Sequence, residues 1–333
     1  MPYLVNNAYQ HLKLMNQRTP VKQVIEDPST SDETKRKLRL AQDARQYAEQ
    51  QLGLKPTQNY TSFVELNRPY ITYVVSVSPK DKLEYKKWSF PFVGKVPYKG
   101  FFSKQEALDE ANKFDKNKYD TYVRGASAYS TLGWFNDPIL SSMMKYKDYD
   151  IVNLIIHETT HATLYIKDNA DFNERLASYV GNKGTELFYK SKEGPLSPTV
   201  IKLSEDQKDE KIFSEFISRE TDKLKKWYEE NKGKFSEEMR LSRLKEITER
   251  FKSEILPTLN TTQYKYFTQL QINNASLLSY KTYVYDLSDF EKAYLKNHEN
   301  FNEFIEYCKT LESSTEPEKQ LKQYIDDQNS MVN

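Results

Sequence analysis

Hydrophobic residues recur at intervals of three and four along most of this chain, which is the spacing of amphipathic helices. The pattern predicts N-terminal helices over 1–55 and C-terminal helices over 200–330, where charged residues fill the other positions. Between them, 68–135 alternates apolar and polar residues and is rich in β-branched side chains, which predicts a small sheet region with one inserted helix. The order is therefore helices, sheet, helices.

A pair of helices is predicted at 149–190, interrupted by the polar stretch KDNAD. The apolar side of the first helix would carry Ile151, Leu154, Ile155, Ala162 and Tyr165. There is no internal repeat and no long Pro/Gly/Ser-rich linker, so a single domain is expected over 1–333. The predicted fold class is α+β, mostly helical, with a small sheet beside the first helix of the pair.

Charge and hydropathy exclude two kinds of partner. The chain has 333 residues with 49 basic and 48 acidic side chains, which gives a net charge of +1. Nucleic-acid binding needs a basic face, so no nucleic-acid partner is expected. No apolar run approaches the roughly 20 residues that span a bilayer, so no membrane-spanning segment is expected either.

The single cysteine and the first residues bear on location. Cys308 has no second cysteine to pair with, and its apolar neighbours predict a small buried side chain. The start, MPYLVNNAYQHLKLMNQ, has neither the basic region nor the continuous apolar region of a signal peptide. We therefore expect either a protein that is not exported or one whose leader is missing from this sequence.

The most informative motif is HETTH within the predicted helix pair. Residues four apart lie on the same face of a helix, so His157 and His161 can both direct an imidazole nitrogen at one ion. Two imidazoles and one carboxylate are a common zinc ligand set that leaves a position open for water. Glu158 lies directly after the first histidine and could act as the general base toward that water. The alternative is an ordinary helix with two histidines.

A third ligand has to come from beyond the motif. The metzincin pattern would require a glycine and a histidine where Leu164 and Lys167 stand, so that pattern is excluded. Glu174 is the favoured carboxylate, because a helix–turn–helix would return it over the histidines. Asp168 and Asp171 are competing candidates, and Asp171 could instead cap the second helix.

Residues around such a centre can be named only as candidates. A peptide substrate would pair as an added strand with the strand that precedes the HETTH helix. The cleft beside that strand would be lined by Tyr129, Ser130, Thr131 and Gly133. Tyr280 is a candidate donor to the oxyanion of the transition state, with Tyr283 and Tyr129 as alternatives. Asn273 and Asn274 could bind substrate, although amides satisfied by helix packing explain them more simply.

Two stretches carry a resemblance to a known family. YVRGASAYSTLGWFNDPILSSMM and LIIHETTHATLYIKDNADFNERLASYVGNKG resemble the bacterial putative aminopeptidase family, a zincin-type metallopeptidase group found mostly in Gram-negative bacteria. The resemblance extends over nearly the whole chain. It implies a zincin-like domain with Zn2+ held by His157, His161 and Glu174, and Glu158 as general base. Family members usually begin with a lipoprotein-type leader, which implies the cell envelope or periplasm and a lipid anchor lost from this sequence.

The functional expectation is a zinc-dependent peptidase, with aminopeptidase as the favoured specificity. One alternative is a zinc amidase that acts on cell-wall peptides, which would use the same chemistry. Another is a non-catalytic envelope protein with a structural zinc, although such a site would give Glu158 no role. A cytoplasmic location is the alternative to the envelope, and the sequence leaves the oligomeric state open.

Overall fold

A computed structural model describes residues 2–90, 94–127, 136–282 and 286–327 of the chain. These residues are mostly helical, with small sheets, so the predicted α+β class is confirmed. Among the described helices, none combines the length and the hydropathy that crossing a bilayer requires.

The helices within the described ranges fall into the four regions where the sequence predicts helices, since α4 is the helix inserted in the sheet region. They are α1 (Pro2–Met15), α2 (Val21–Glu26), α3 (Asp32–Gln50), α4 (Lys104–Asn112), α5 (Asp148–Thr163), α6 (Ala170–Glu193), α7 (Pro198–Glu230), α8 (Glu237–Arg250), α9 (Asn274–Thr282), α10 (Ser288–Lys296), α11 (Phe301–Thr310) and α12 (Pro317–Asp326). Short 3-10 and π segments lie after α8 and before α5. The charged region after residue 200 is therefore helical, as expected.

The strands are short and form three small sheets. They are β1 (Thr19–Pro20), β2 (Ser62–Val64), β3 (Thr72–Pro79), β4 (Trp88–Phe90), β5 (Gly94–Val96), β6 (Tyr98–Phe101), β7 (Tyr119–Ala126) and β8 (Ile139–Leu140). The sheet orders are β1-β2-β8, β6-β3-β7 and β4-β5. Most strands and α4 thus lie where the alternation predicted them.

Contacts divide the chain into two compact units. Unit 1 contains the described residues of 1–69, 128–200 and 286–333, and unit 2 contains those of 70–127 and 201–285. Each unit combines segments that are far apart in the sequence, so no linker marks a boundary between them. The single domain expected over 1–333 stays a prediction.

Unit 1 is built around α3, α5 and α6. The Ser31 hydroxyl accepts a hydrogen bond from the backbone N–H of Thr34 and caps α3, whose chain turns away at Gly53 with a φ of +66°. In the small sheet, β2 runs antiparallel to β1 and parallel to β8, with Phe63 opposite Ile139. Cys308 is fully buried on α11, as predicted.

Unit 2 packs helices against the antiparallel sheet β6-β3-β7, in which Val75 lies opposite Val123. Its core combines leucines and isoleucines with a group of buried aromatic rings that includes Phe213, Phe216, Phe251 and Phe267. The buried Arg240 side chain donates to the Asp120 carboxylate over 2.8 Å and to Glu237 over 2.8 Å. Removing one partner of such a buried pair would leave a charge unpaired.

Candidate metal centre

The HETTH motif lies on α5, whose own sequence explains why it folds there. Acidic residues in the first turn, Asp148 and Asp150, complement the positive end of the helix dipole. The buried side of α5 includes Ile151 and Ile155, both fully enclosed. Tyr165 does not join them: the helix ends at Thr163, and Tyr165 is 42% exposed in the turn that follows. The prediction that Tyr165 lies on the apolar side of this helix is therefore wrong, because the helix ends two residues before it.

The turn between α5 and α6 is held by a side chain that the sequence pattern did not single out. Asn173 is 2% exposed, and its amide forms two hydrogen bonds with the backbone of Ile166. The Ile166 N–H donates to Asn173 Oδ1 over 2.9 Å, and Asn173 Nδ2 donates to the Ile166 carbonyl over 2.7 Å. Asp168 adopts a φ of +62° in this turn. The chain therefore reverses tightly, and α6 starts close to the end of α5.

Glycine allows α6 to pack closely against the histidine-bearing helix. A Cβ at Gly181 would lie 3.2 Å from the Cβ of His157 and 3.2 Å from Oδ1 of Asn153. Both distances are tighter than ordinary van der Waals contact. One turn further along α6, a Cβ at Gly184 would meet Leu52 at 2.7 Å and Ile156 at 3.0 Å. The close approach brings the first turns of α6 within reach of the motif.

The fold brings His157, His161 and Glu174 together. The two imidazole Nε2 atoms are 3.2 Å apart. Glu174 places Oε2 3.6 Å from Nε2 of His157 and Oε1 3.4 Å from Nε2 of His161. The His161 side chain is 3% exposed, that of His157 19% and that of Glu174 44%. The cluster thus has a closed inner side and an open outer side.

These separations fit a zinc ion. A zinc–ligand distance of about 2.0–2.1 Å with tetrahedral angles places donor atoms roughly 3.3 Å apart. The two Nε2 atoms are 3.2 Å apart, and each has a different oxygen of Glu174 near that distance, Oε2 at 3.6 Å from His157 and Oε1 at 3.4 Å from His161. Two imidazole nitrogens and one carboxylate oxygen are also the donor types that zinc prefers. The residues present therefore fit the metal in both chemistry and spacing.

The electrostatics of the cluster follow from its partners. Burial alone would raise the pKa of Glu174, but hydrogen bonds with His157 and His161 outweigh it and hold that pKa well below its usual value. Burial would lower the pKa of His161, but the hydrogen bond and negative charge of Glu174 together with the charge of Glu158 raise it. Glu174 is therefore a carboxylate at neutral pH, as a metal ligand must be.

Glu158 lies beside the cluster and is not one of its three converging donors. Its Oε2 atom is buried, and it has no hydrogen-bond partner among the described residues. Its charge acts on His161 and also on Tyr60. A carboxylate oxygen that is enclosed and free of protein partners remains available to accept a proton from a bound molecule.

The competing third ligands lie apart from the cluster. Within the described ranges, one group of metal-binding side chains brings its ligand atoms close together, and it consists of His157, His161 and Glu174. Asp168 takes part in the left-handed turn, and Asp171 lies in the first turn of α6. Neither belongs to the converging group. The position of Glu174 on α6 matches the expected helix–turn–helix.

Tyr280 lies in unit 2, where its ring contacts Phe213 and Phe267 edge-on. Its hydroxyl hydrogen-bonds with Tyr266 and Tyr122. Burial, followed by the effect of these two tyrosines, raises the pKa of Tyr280 well above its usual value. This phenol is thus engaged within unit 2, and its role as oxyanion donor stays a prediction.

The neighbouring amides of unit 2 are also satisfied. Asn274 is fully buried; it accepts a hydrogen bond from the Tyr228 hydroxyl and donates to the Pro79 carbonyl. Asn273 donates to the Thr121 carbonyl. The simpler interpretation, amides that hold helix to sheet, is the one that these contacts support. The four residues expected to line a substrate strand lie outside the described residues: Tyr129, Ser130, Thr131 and Gly133.

The fold and the site define a mostly helical α+β protein with a two-histidine, one-carboxylate cluster on a HETTH helix. The chain belongs to the family described as "Putative aminopeptidase", whose family model matches residues 2–323. The resemblance found in the sequence is thereby confirmed, and the description of the family suggests a peptidase that acts at amino ends. Comparisons with curated proteins and with solved structures give no match.

Proposed function

We propose that this protein is a zinc-dependent peptidase, and specifically an aminopeptidase with a zincin-like active site. The observation that carries the proposal is the convergence of His157, His161 and Glu174 at zinc-like spacing, beside the unpartnered Oε2 of Glu158. Membership of the aminopeptidase family supports the same chemistry. A zinc ion held by the three ligands would supply Lewis-acid chemistry, acidifying a water and polarising the substrate carbonyl.

The protein's own groups then have distinct tasks. Glu158 accepts a proton at Oε2 from the attacking water while the water oxygen bonds to the carbonyl carbon of the substrate. The carbon–nitrogen bond breaks next, and Glu158 passes the same proton to the leaving nitrogen. The second proton of the water passes from the new carboxyl group to the amine, so the products are a carboxylate and an ammonium group, and the carboxylate of Glu158 ends as it began. The two hydrogen bonds between Asn173 and the backbone of Ile166 hold the neighbouring Glu174 in place during these steps.

The position of Glu158 favours catalysis over a purely structural metal. A structural zinc site closes with four protein ligands, whereas three converging ligands leave room for water. Burying an unpaired carboxylate oxygen destabilises a fold, and a structural site would gain nothing from it. The cell-wall amidase shares this chemistry, so the choice between amidase and peptidase depends on the substrate. An envelope location stays a prediction.

The test combines metal content with hydrolysis for the wild type and for Glu158→Gln. The matched control is Glu193→Gln, the same change at an exposed position near the end of α6. We expect about one zinc per chain in all three proteins, as one ligand cluster implies. Glu158→Gln should lose about 10²–10⁴-fold in kcat, because it removes the general base and keeps the ligands.

The substrate panel decides specificity. Free-amine peptides should be cleaved and their N-acetylated counterparts should not if the enzyme is an aminopeptidase. Cleavage of cell-wall peptides alone would favour the amidase. A wild-type protein that binds no zinc, even when zinc is supplied, would refute the metallopeptidase proposal.

A further inference from the structure

A row of polar side chains continues from the metal cluster along the contact between α5 and α6. On each helix, three polar residues follow one another at intervals of four, which places them on one face of that helix. The members of this polar strip are Asn153, His157 and His161 on α5 and Glu174, Ser178 and Asn182 on α6. The metal ligands occupy one end of the strip, and two asparagines occupy the other.

Contacts between the helices show that the two rows face each other. At the metal end, Glu174 approaches both histidines. At the other end, Nδ2 of Asn153 donates to Oδ1 of Asn182 over 2.8 Å. Later residues of α6 thus meet earlier residues of α5, so the helices run antiparallel, and the asparagine pair lies in line with the cluster.

Gly181 fixes how close the asparagine pair comes to the metal-binding imidazole. Oδ1 of Asn153 and the Cβ of His157 each lie 3.2 Å from the point that a Cβ at Gly181 would occupy. Along α5, Asn153 and His157 are one turn apart, which is about 5.4 Å. An extended peptide advances about 3.3 Å per residue. The pair therefore lies between one and two residues away from a peptide bond that is cleaved at the cluster.

The asparagine pair keeps hydrogen-bonding capacity that the fold does not use. An asparagine amide has two N–H donors and an oxygen with two lone pairs. Apart from their mutual bond, neither Asn153 nor Asn182 forms a side-chain hydrogen bond with a described residue, and the Ser178 hydroxyl forms none either. All three side chains are half-buried, as Glu174 is on the open side of the cluster. The pair thus offers an acceptor, Oδ1 of Asn153, and a donor, Nδ2 of Asn182, to a bound molecule.

Resting on the proposed peptidase function, we infer that Asn153 and Asn182 form a subsite for the backbone of the substrate beyond the scissile bond. Asn182 donates to a carbonyl of the peptide, and Asn153 accepts from an N–H. One residue of an extended peptide directs its N–H and its carbonyl to the same side, so one donor beside one acceptor matches it. The pair carries no charge and reads no side chain. It therefore selects for chain length, and the enzyme prefers oligopeptides to substrates that end at the scissile bond.

The test compares two substrates with the same first residue: an amino-acid amide, which ends at the scissile bond, and the tripeptide amide, which continues beyond it. The variant is Asn182→Asp, which keeps the acceptor for Asn153 Nδ2 and replaces the free donor by an oxygen. We expect KM for the tripeptide amide to rise about 5- to 20-fold with little change in kcat, because binding away from the reacting atoms is lost. KM for the amino-acid amide should change no more than in the control.

The matched control is Asn169→Asp, which adds the same charge before the first turn of α6 and lies outside the polar strip. It separates the loss of a donor from a general effect of negative charge on the metal. Zinc content and melting temperature should match the wild type in both variants, since the bond between the helices is kept.

A second readout does not depend on turnover. A phosphinic analogue of the tripeptide should bind Asn182→Asp less tightly by a factor similar to the rise in KM, whereas an aminophosphonic acid, which has no further residues, should bind both proteins equally. An unchanged preference for the tripeptide, or equal losses on the two substrates, overturns this inference and leaves the peptidase proposal intact. A wild type that cleaves neither substrate and binds neither analogue overturns both.

Discussion

Truncating Asn173 to alanine tests whether the turn after α5 builds the metal centre. Asn173 is 2% exposed and precedes Glu174 directly. Its amide satisfies both the N–H and the carbonyl of Ile166, over 2.9 and 2.7 Å. The Ile166 side chain is 1% exposed, so the two backbone groups would be left in a buried turn. The substitution removes no metal ligand, so any effect on zinc acts through position.

The expected magnitude follows from these two contacts. A buried polar group that loses its partner costs about 1–3 kcal/mol. Two such groups give about 2–4 kcal/mol of lost unfolding free energy if water reaches one of them in part. This is a large fraction of the roughly 5–15 kcal/mol that stabilises a typical domain. Loosening the support of a ligand usually lowers metal affinity about 10–100-fold.

The assay separates the two effects. Urea unfolding of the chelator-treated protein reports the stability of the fold without metal, and competition with a zinc chelator reports affinity. The matched control is Asn169→Ala, in the same turn, where the side chain is less buried and donates only to the Lys167 carbonyl. The Asn169 side chain forms no capping hydrogen bond at the start of α6. Asn169→Ala should therefore lower the free energy of unfolding by less than about 1 kcal/mol. Equal stability and equal zinc affinity in the two variants would refute the reasoning.

Two further predictions rest on other contacts. Gly181→Ala should weaken zinc binding, because the new methyl group would lie 3.2 Å from the Cβ of His157. Gly184→Ala should lower the stability of the fold more than the zinc affinity, because its methyl group would meet Leu52. Competition with a zinc chelator measures both affinities, and equal affinities in the two variants would contradict the prediction. The buried Asp209 carboxylate accepts from the backbone N–H of Thr261, and backbone hydrogen bonds help lower its pKa against the opposing effect of burial. Its stabilisation is therefore full above the unfolded pKa and lost as pH falls through the lower folded pKa. The stability gap between the wild type and Asp209→Asn, about 2 kcal/mol or more at pH 7, should begin to narrow only as pH falls below about 4 in urea titrations, and a gap independent of pH would refute the assignment.

The centre shows how far sequence reasoning reaches. His157 and His161 could be paired from spacing alone, because four residues make about one helical turn whatever surrounds the helix. Glu174 could only be favoured over Asp168 and Asp171, since each carboxylate depends on how the chain reverses between two helices. The two hydrogen bonds between Asn173 and Ile166 hold this reversal. No pattern in a single sequence indicates that an asparagine at this position forms them.

Tyrosines show the opposite case. The chain has 25 of them, and the sequence favoured Tyr280 because of its neighbours. The fold places the Tyr280 ring against Phe213 and Phe267 of unit 2. One sequence does not show which tyrosines meet in the fold, so the hydrogen bonds of the Tyr280 hydroxyl with Tyr266 and Tyr122 emerge only from coordinates.

The sequence by itself determined what depends on neighbours along the chain. The helical periods, the alternation in the sheet region and the single buried Cys308 follow from local pattern and composition. Tertiary structure alone decided which carboxylate meets the two histidines, and that each of the two units combines segments far apart in the sequence. The physical reason is that helix and strand geometry is set within a few residues. Contacts such as that of Tyr60 with Asp137 join residues whose separation along the chain carries no geometric constraint.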